Sequence, residues 1–431
     1  MNVAIFTDND FDKVNGVTTS LRAALRHAPE DVHARVYTAN RVGIKTSDYL
    51  AVESMGVGIP FYGEMKMYWP RLQRFSKQAV QDGIDLIHLT TPGPVGLSAL
   101  FVAWRTGLPM VGSFHTDLAT YTRILSGSPC LGALMREYLR WPYGRCRRVL
   151  VPSQATRDML VEAKFNPAKL TMWRCGVDTE MFSPAKRSMT LRERWGLSRR
   201  RPGIIYVGRV SREKGLGLLP ALEATLRRWQ PDHRLIIVGD GPMRHELQSA
   251  CPDAVFTGTL SRAEVAVALA SADLLVFPSE TDAAGSVVLE AQASGLSVVV
   301  TDRGGPREYM VEEQTGIVCR TPEEFLIRVA ALTTDEDRRQ KMGCAAREYA
   351  LGLRWEAALA PLYERVSGRR FRTVPASRDR PCHGPWRGAP LSAQSWHLPA
   401  LCGCPARVHS PPDACRYVEF TEMTKSAGQD T

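Results

Sequence analysis

The feature of this sequence that most constrains its fold is an alternation of short apolar strands and helices that runs through the first half of the chain and then starts again. The first series of strand-like runs lies at residues 3–7, 32–38, 86–89, 110–114 and 149–152. The second series lies at residues 203–208, 234–239, 254–258, 274–278 and 297–301. Strands that alternate with helices predict a parallel, doubly wound sheet for each series.

Two such series predict an α/β protein with two Rossmann-like domains, since 431 residues also exceed one average core. We place the N-terminal domain at residues 1–178 and the second domain at residues 186–352. Residues 353–370 are predicted to form a helix that returns to the N-terminal domain. Residues 371–431 are rich in Pro, Arg, Ser and His without periodicity, and we predict that they are disordered.

The net charge of the chain limits the classes of partner that it is expected to bind, and its hydropathy indicates where it is located. A formal net charge of +10 predicts an anionic partner, which includes nucleotides, phosphates, nucleic acid and acidic lipids. No pattern typical of nucleic-acid-binding domains is present, so nucleic acid is not expected. No apolar run approaches the roughly 20 residues that span a bilayer, and the N-terminus does not resemble a signal peptide. A cytoplasmic location is therefore predicted.

A basic loop directly after the first strand of the second series is the strongest chemical signal. Arg209 and Lys214 lie five residues apart in this loop, which follows Gly208 and leads into a helix. Both cations can therefore converge on one anion at a helix N-terminus. Two fixed cations can stabilise the charge that develops on a departing diphosphate without a metal ion. The strand–glycine–arginine context favours this function over a solvated basic loop.

A second element follows the strand at residues 274–278. Gly285 and Ser286 stand where a helix is expected to begin, so their backbone N–H groups are available to sugar hydroxyls or phosphate. Asp282 precedes the start of this helix, and Glu290 lies about one turn inside it. Two carboxylates placed in this way can accept hydrogen bonds from two different sets of hydroxyls.

Together with residues 301–308, these two elements resemble the GT-B retaining glycosyltransferases of family 4, which include α-mannosyltransferases that build glycolipids. The resemblance implies that Arg209 and Lys214 hold the diphosphate of a nucleotide sugar. It further implies that the sugar is contacted by Asp282, Gly285 and Ser286, and the ribose by Glu290. The family usually has Glu where this chain has Asp282, which keeps the charge but shortens the reach of the side chain.

The N-terminal half is similar to the same family in two loops. Asn15 and Gly16 lie in the glycine-containing loop after the first strand, and the resemblance implies that they bind the donor. His115 follows the strand at residues 110–114, and the resemblance implies that it faces the cleft and bonds a donor hydroxyl or holds the sugar. The acids at residues 8–10 mimic the metal-binding pair of another transferase fold, but that fold has one nucleotide domain. No metal site is therefore expected.

The resemblance implies a metal-independent, retaining hexosyltransferase with GDP-mannose as the leading donor and a lipid or glycan as the acceptor. UDP-glucose and UDP-galactose stay open as donors, and no cofactor is expected beside the nucleotide sugar. A sugar-nucleotide epimerase of the same fold and a non-catalytic nucleotide-sugar binding protein are the alternatives.

Two stretches of the N-terminal half, residues 66–75 and 135–148, interleave basic and aromatic residues. Amphipathic stretches of this type can lie on an anionic leaflet, which would place the chain at the inner face of the membrane, in glycolipid biosynthesis. Two helices with buried aromatics and a solvated basic rim explain the pattern equally well.

Overall fold

The computed structural model describes residues 1–9, 11, 16–59 and 62–363. The strands are β1 (Asn2–Phe6), β2 (His33–Asn40), β3 (Ile44–Lys45), β4 (Tyr49–Glu53), β5 (Gly56–Ile59), β6 (Tyr62–Tyr68), β7 (Leu86–Leu89), β8 (Met110–Ser113), β9 (Arg148–Val151), β10 (Leu170–Met172), β11 (Gly203–Val207), β12 (Arg234–Val238), β13 (Val255–Gly258), β14 (Leu274–Phe277), β15 (Ser297–Thr301) and β16 (Ile317–Cys319).

The helices are α1 (Gly16–Arg26), α2 (Leu72–Gln81), α3 (Pro94–Thr106), α4 (Leu118–Ser126), α5 (Pro129–Gly144), α6 (Gln154–Glu162), α7 (Met189–Arg194), α8 (Leu219–Trp229), α9 (Arg244–Ala250), α10 (Arg262–Ser271), α11 (Ser286–Ala293), α12 (Pro322–Thr334), α13 (Glu336–Leu351) and α14 (Trp355–Tyr363). Short 3-10 turns connect several of them. Two predictions, the donor-binding Asn15 and the disordered tail at residues 371–431, fall outside the described residues.

The first sheet has eight strands in the order β10-β9-β8-β7-β1-β2-β4-β3, and its pairs are parallel except for β3 with β4. Successive side chains of β1 enter two different cores. Val3 and Ile5 pack with α1 and α14, whereas Ala4 and Phe6 pack with α2 and α3. A parallel sheet covered on both faces needs apolar side chains on both, so its strands are continuous apolar runs in the sequence.

The second sheet has six parallel strands in the order β13-β12-β11-β14-β15-β16. Its connections run in opposite directions on the two sides of β11, and the same reversal occurs at β1 in the first sheet. Ligands of open α/β sheets bind outside the carboxyl ends of the strands at such reversals. The loops after β11 and β14 are therefore brought side by side at the place where a ligand is expected.

After the second sheet the chain returns to the first. One face of α14 packs in the core formed by α1 and β1, and the Tyr363 hydroxyl donates a hydrogen bond to the Ala24 carbonyl. A Cβ atom on Gly176 would lie 2.6 Å from the Cα atom of Trp355, so the segment that leaves the first sheet passes directly against the start of α14. Residues after Tyr363 lie outside the described part of the chain.

The two stretches that interleave basic and aromatic residues differ in structure. Residues 66–75 do not form the single helix that one of the two interpretations predicts, because β6 ends at Tyr68 and α2 begins only at Leu72. Pro70 lies between them, and a proline disfavours the helical conformation of the residue before it. The second stretch does lie largely on a helix, α5. Of the helices in the described ranges, none has the length and apolar character that crossing a bilayer requires.

Candidate active site

Glycines bring the loop after β11 against its neighbours. A Cβ atom on Gly239, at the end of β12, would lie 1.9 Å from the Gly208 carbonyl oxygen. Gly215 has a left-handed φ of 71°, and a Cβ atom there would lie 2.2 Å from the Pro278 carbonyl oxygen at the end of β14. Only glycine allows backbones to approach so closely. The turn that carries Arg209 and Lys214 therefore lies directly on the loop that carries Asp282.

Lys214 and Asp282 form an ion pair across these two loops. The distance from Lys214 Nζ to Asp282 Oδ1 is 2.7 Å, and the side chains are only 14% and 21% exposed. The ring centroid of Tyr121 lies 5.7 Å from the same ammonium group. Tyr121 is on α4 in the first lobe, which is the part of the chain built on the first sheet, whereas Lys214 belongs to the second lobe, built on the second sheet. Burial alone would lower the pKa of Lys214, but the Asp282 carboxylate more than offsets it, so the pKa lies well above the ordinary lysine value. Lys214 therefore stays charged at neutral pH.

Arg209 lies on the same turn beside a buried acid, Glu213. The distance from Arg209 Nε to Glu213 Oε1 is 3.9 Å. Glu213 Oε1 also accepts a hydrogen bond from the Ser211 hydroxyl, and its backbone carbonyl accepts one of 2.8 Å from the Thr281 hydroxyl. The bond from Thr281 holds the cationic turn to the loop of Asp282. The sequence reasoning missed Glu213 and Thr281, although the four-residue spacing from Arg209 to Glu213 was a usable signal.

The start of α11 is open, as expected for the helix after Asp282. Gly285 precedes it with a left-handed φ of 68°, and a Cβ atom there would lie 2.6 Å from Pro306. No side chain among the described residues caps the first amides of this helix, to which Ser286 belongs. Uncapped amides at a helix N-terminus carry partial positive charge and suit an anion or a hydroxyl oxygen.

A glycine pair in the loop after β15 positions the backbone of Asp282. Gly305 N donates a 2.8 Å hydrogen bond to the Asp282 carbonyl. A Cβ atom on Gly305 would lie 1.9 Å from the Ala283 carbonyl oxygen, and one on Gly304 would lie 2.7 Å from that of Asp282. Three loops, after β11, β14 and β15, therefore meet around one acid.

Glu290 is buried on α11 and is ion-paired, unlike a solvated surface acid. Its Oε1 atom lies 2.6 Å from Arg262 Nη1, and its side chain is 8% exposed. The Arg262 guanidinium in turn lies over the Phe182 ring at 4.8 Å. Burial raises the pKa of Glu290, and Arg262 counters that rise. Arg262 is a third residue that the sequence reasoning missed, because 28 residues separate it from its partner.

In the first lobe, the Asp8 carboxylate is occupied by the start of α3. It accepts backbone hydrogen bonds from Gly93, Val95 and Gly96 at 2.7–3.1 Å, and a Cβ atom on Gly93 would lie 2.6 Å from its Cγ atom. Burial raises the pKa of Asp8 to about 6, against the effect of these bonds. Gly16 is exposed as the first residue of α1. Within the described ranges, no cluster of three or more His, Cys, Asp or Glu side chains could hold a metal ion.

His115 lies just beyond the carboxyl end of β8, half-buried. Its Nε2 atom lies 2.8 Å from the Ser113 hydroxyl, and the Trp173 ring packs edge-on against the imidazole at 5.4 Å. Burial lowers the pKa of His115 to about 4, so the ring is neutral at physiological pH. Helix α4 begins three residues later and carries Tyr121, the residue that faces Lys214.

Comparison with known proteins decides the family. Residues 14–181 match the profile described as Glycosyltransferase Family 4, and residues 188–349 match Glycosyl transferases group 1. The chain belongs to the family 4 glycosyltransferases. It is 33% identical to the GDP-mannose-dependent alpha-mannosyltransferase of Mycobacterium tuberculosis, over 86% of this chain and 98% of that protein. It is 30% identical to the Corynebacterium glutamicum protein of the same name, over 84% and 88% of the two chains.

The fold of this glycosyltransferase is also that of solved relatives. Sucrose-phosphate synthase from Thermosynechococcus elongatus superposes with a TM-score of 0.67 over 84% of this chain and 96% of that chain, at 19% identity. The GT-B architecture predicted from the sequence, with its two Rossmann-like lobes, is confirmed.

The lobes of the glycosyltransferase are joined by charge-assisted hydrogen bonds. Glu308, in the loop after β15, accepts from the backbone N–H groups of Gln154 at 2.6 Å and Ala155 at 2.7 Å, the first two residues of α6. The neighbouring Tyr309 hydroxyl donates a 2.6 Å hydrogen bond to the Pro152 carbonyl. A carboxylate of the second lobe thus caps a helix of the first.

Proposed function

We propose that this glycosyltransferase transfers mannose from GDP-mannose to a lipid or glycan acceptor with retention of configuration and without a metal ion. The observation that carries the proposal is the Lys214–Asp282 ion pair beside the uncapped start of α11. It puts a cation suited to a diphosphate next to an acid suited to sugar hydroxyls. The names of the relatives from Mycobacterium tuberculosis and Corynebacterium glutamicum support GDP-mannose as the donor.

In this proposal the diphosphate binds between the cationic turn and the open helix. Arg209 and Lys214 stabilise the charge on the leaving phosphate, and Gly208 lets the backbone pass close to it. The α11 amides at Gly285 and Ser286 and the Asp282 carboxylate bind the sugar. Lys214 stays charged at neutral pH, so in this proposal it supplies positive charge at the position where other transferases use a metal ion.

The remaining contacts orient the donor and the acceptor. Glu290, held by Arg262, binds the ribose hydroxyls. Gly16, with Asn15 beside it in the sequence, approaches the donor from the first lobe. A neutral His115 bonds a sugar hydroxyl, and the acceptor hydroxyl attacks the sugar on the face that the diphosphate leaves, with the departing phosphate taking its proton.

A panel of nucleotides and nucleotide sugars tests the donor. GDP and GDP-mannose are expected to raise the unfolding temperature of the full chain, because a ligand that binds only the folded state stabilises it by about 2.7 kcal/mol at one hundred times its Kd. Transfer or slow hydrolysis of GDP-mannose is expected to continue at an unchanged rate in EDTA.

The panel also separates the alternatives. Stabilisation by UDP and not GDP points to a UDP-sugar donor, and loss of all turnover in EDTA contradicts metal independence. Release of an epimerised nucleotide sugar indicates an epimerase. Binding without turnover in the presence of candidate acceptors indicates a nucleotide-sugar binding protein.

A lipid acceptor is favoured by an aromatic and basic groove between α3 and α5. Trp104 is 80% exposed and Trp141 is 48% exposed, and both line a groove of about 540 Å³ together with Arg145 and Arg147. The Arg145 guanidinium lies over the Trp141 ring at 4.6 Å. Exposed tryptophan beside arginine suits the interface of an anionic bilayer, and we propose that this groove contacts the membrane peripherally.

Sedimentation with vesicles tests this contact. The full chain is expected to sediment with vesicles that contain phosphatidylglycerol at moderate salt and to stay in the supernatant with neutral vesicles. Replacing Trp104 and Trp141 with serine is expected to lower the bound fraction severalfold, since the apolar anchors are removed. The matched control is Trp229→Ser, because Trp229 is 50% exposed on the other lobe beside two arginines. If both variants bound the anionic vesicles equally well, the groove would not be the membrane contact.

A further inference from the structure

Two histidines share one buried serine hydroxyl in the core of the first lobe. His88, on β7, and Ser113, the last residue of β8, are both fully buried. The distance from His88 Nε2 to Ser113 Oγ is 2.9 Å, and that from Ser113 Oγ to His115 Nε2 is 2.8 Å. The Trp173 ring packs edge-on against both imidazoles. His88 is a fully buried polar residue to which the proposed function gives no role.

Only a few protons are available for the hydrogen bonds among His88, Ser113 and His115. Burial lowers the pKa of His88 to about 3 and that of His115 to about 4, so both rings are neutral and each carries one N–H. A serine hydroxyl has one proton to donate. If the hydroxyl accepted from both imidazoles, its own proton would have no acceptor among the described residues. Ser113 is therefore expected to donate to one imidazole and accept from the other, which couples the tautomers of the two histidines.

Ser113 can donate either to His88 or to His115, and the two arrangements differ in the free-energy cost of the buried group that is left without a hydrogen bond. His88 Nδ1 is buried and has no hydrogen-bond partner among the described residues. If Ser113 donated to His88, that Nδ1 atom would have to carry an unsatisfied buried N–H. Buried N–H groups without a partner are rarer in proteins than under-satisfied acceptors. The favoured order is therefore a His88 Nε2–H donating to Ser113, whose hydroxyl donates to His115 Nε2.

We propose that His88 and Ser113 are positioning residues that fix His115 in the tautomer with its proton on Nδ1. The ring nitrogen of His115 that is not engaged by Ser113 is then a permanent donor, able to give a hydrogen bond to a sugar oxygen and unable to accept one. In the hydrogen bond between His115 and the sugar of the nucleotide sugar, the histidine is therefore always the donor and the sugar oxygen always the acceptor. The effect on transfer rests on the proposed function of His115, whereas the tautomer itself does not.

Nitrogen NMR of histidine-labelled full chain tests the tautomer directly. The chain has nine histidines, and a His115→Gln spectrum assigns the His115 signals. The expected result is a protonated Nδ1 and an unprotonated Nε2 on His115 in the wild type, and a mixture of tautomers in Ser113→Ala. The control is Ser98→Ala, which removes an equally buried hydroxyl from α3 without touching either histidine. A proton on Nε2 of wild-type His115, or an unchanged spectrum in Ser113→Ala, overturns the proposal.

Rescue at His88 supplies the kinetic test. His88→Leu cannot donate to Ser113, and its kcat/KM is expected to fall about tenfold, the upper range for one net hydrogen bond. His88→Gln retains an amide donor near the position of Nε2 and is expected to recover most of that loss. Equal losses in the two variants, with unfolding temperatures unchanged from the wild type, contradict a positioning role. If His115→Ala transfers normally while the tautomer result holds, the proposed function of His115 fails alone.

Discussion

Replacing Lys214 with alanine is expected to lower the turnover number by two to three orders of magnitude. A preorganised charge contact to a leaving group is worth about that much in a water-poor site, and the 14% exposure of Lys214 indicates such a site. Arg209→Ala is expected to cause a loss of similar size, since the proposed function assigns both cations to the same diphosphate. The measurement is kcat and kcat/KM for GDP-mannose, or for whichever donor the nucleotide panel selects.

The control for this pair is Arg199→Ala. Arg199 is an 84% exposed cation of the same lobe, ion-paired with Glu336 on the surface, and its removal is expected to leave turnover unchanged. Unfolding temperatures of all three variants separate lost chemistry from lost folding, because Lys214→Ala leaves the Asp282 carboxylate without its counter-ion. Near-normal rates in both cleft variants would show that the donor diphosphate binds elsewhere.

Asp282→Asn is expected to lower turnover about a hundredfold. The substitution keeps the shape of the side chain but removes its charge, and a charged acceptor binds hydroxyls about twice as strongly as a neutral one. It also replaces the carboxylate that lies 2.7 Å from Lys214 Nζ with a neutral amide. Lys214, to which the proposed function assigns the diphosphate, then lacks its counter-ion. Both losses act on the same donor, so the change exceeds that of one neutral hydrogen bond.

Asp282→Glu provides the informative comparison. It restores the acid that the family usually carries, keeps the charge, and adds one methylene group in a crowded loop. We expect it to retain more activity than Asp282→Asn. Asp253→Asn is the matched control, because Asp253 is 68% exposed and pairs with Arg227 on the surface. If Asp282→Asn transfers sugar at the wild-type rate, the sugar is not bound through this carboxylate.

The ten strands predicted from the sequence lie within two residues of their observed bounds, since a strand buried on both faces is a continuous apolar run. The strands β3 to β6 were not predicted. Strand β3 is the edge of the first sheet and β5 and β6 form a separate two-stranded sheet, and their neighbourhood exposes Val42, Met55 and Val57, so no apolar run marks them. Strand β4 is different, because its first four residues are buried and form an apolar run that the sequence reasoning overlooked. The three-residue strands β10 and β16 are too short to give a signal of their own.

The residues of the candidate site could be predicted where they lie close together in one loop. Contacts between loops that are far apart in the sequence could not be predicted. The spacing of Arg209 and Lys214 is local, and so is the placement of Gly285 before a helix. The contacts of Glu290 with Arg262 and of Glu213 with Thr281 depend on which loops the sheet order brings together. For residues 66–75 the helix interpretation was wrong, because residue composition alone does not reveal that Pro70 divides a strand from a helix.

The Glu308 contact between the lobes has a mechanical consequence. Three residues before Glu308 in the same loop, Gly305 N is bonded to the Asp282 carbonyl. A hinge movement that pulls Glu308 away from the amides of Gln154 and Ala155 would therefore also pull on the backbone that holds Asp282. The loop after β15 therefore links the contact between the two lobes directly to the position of the Asp282 backbone.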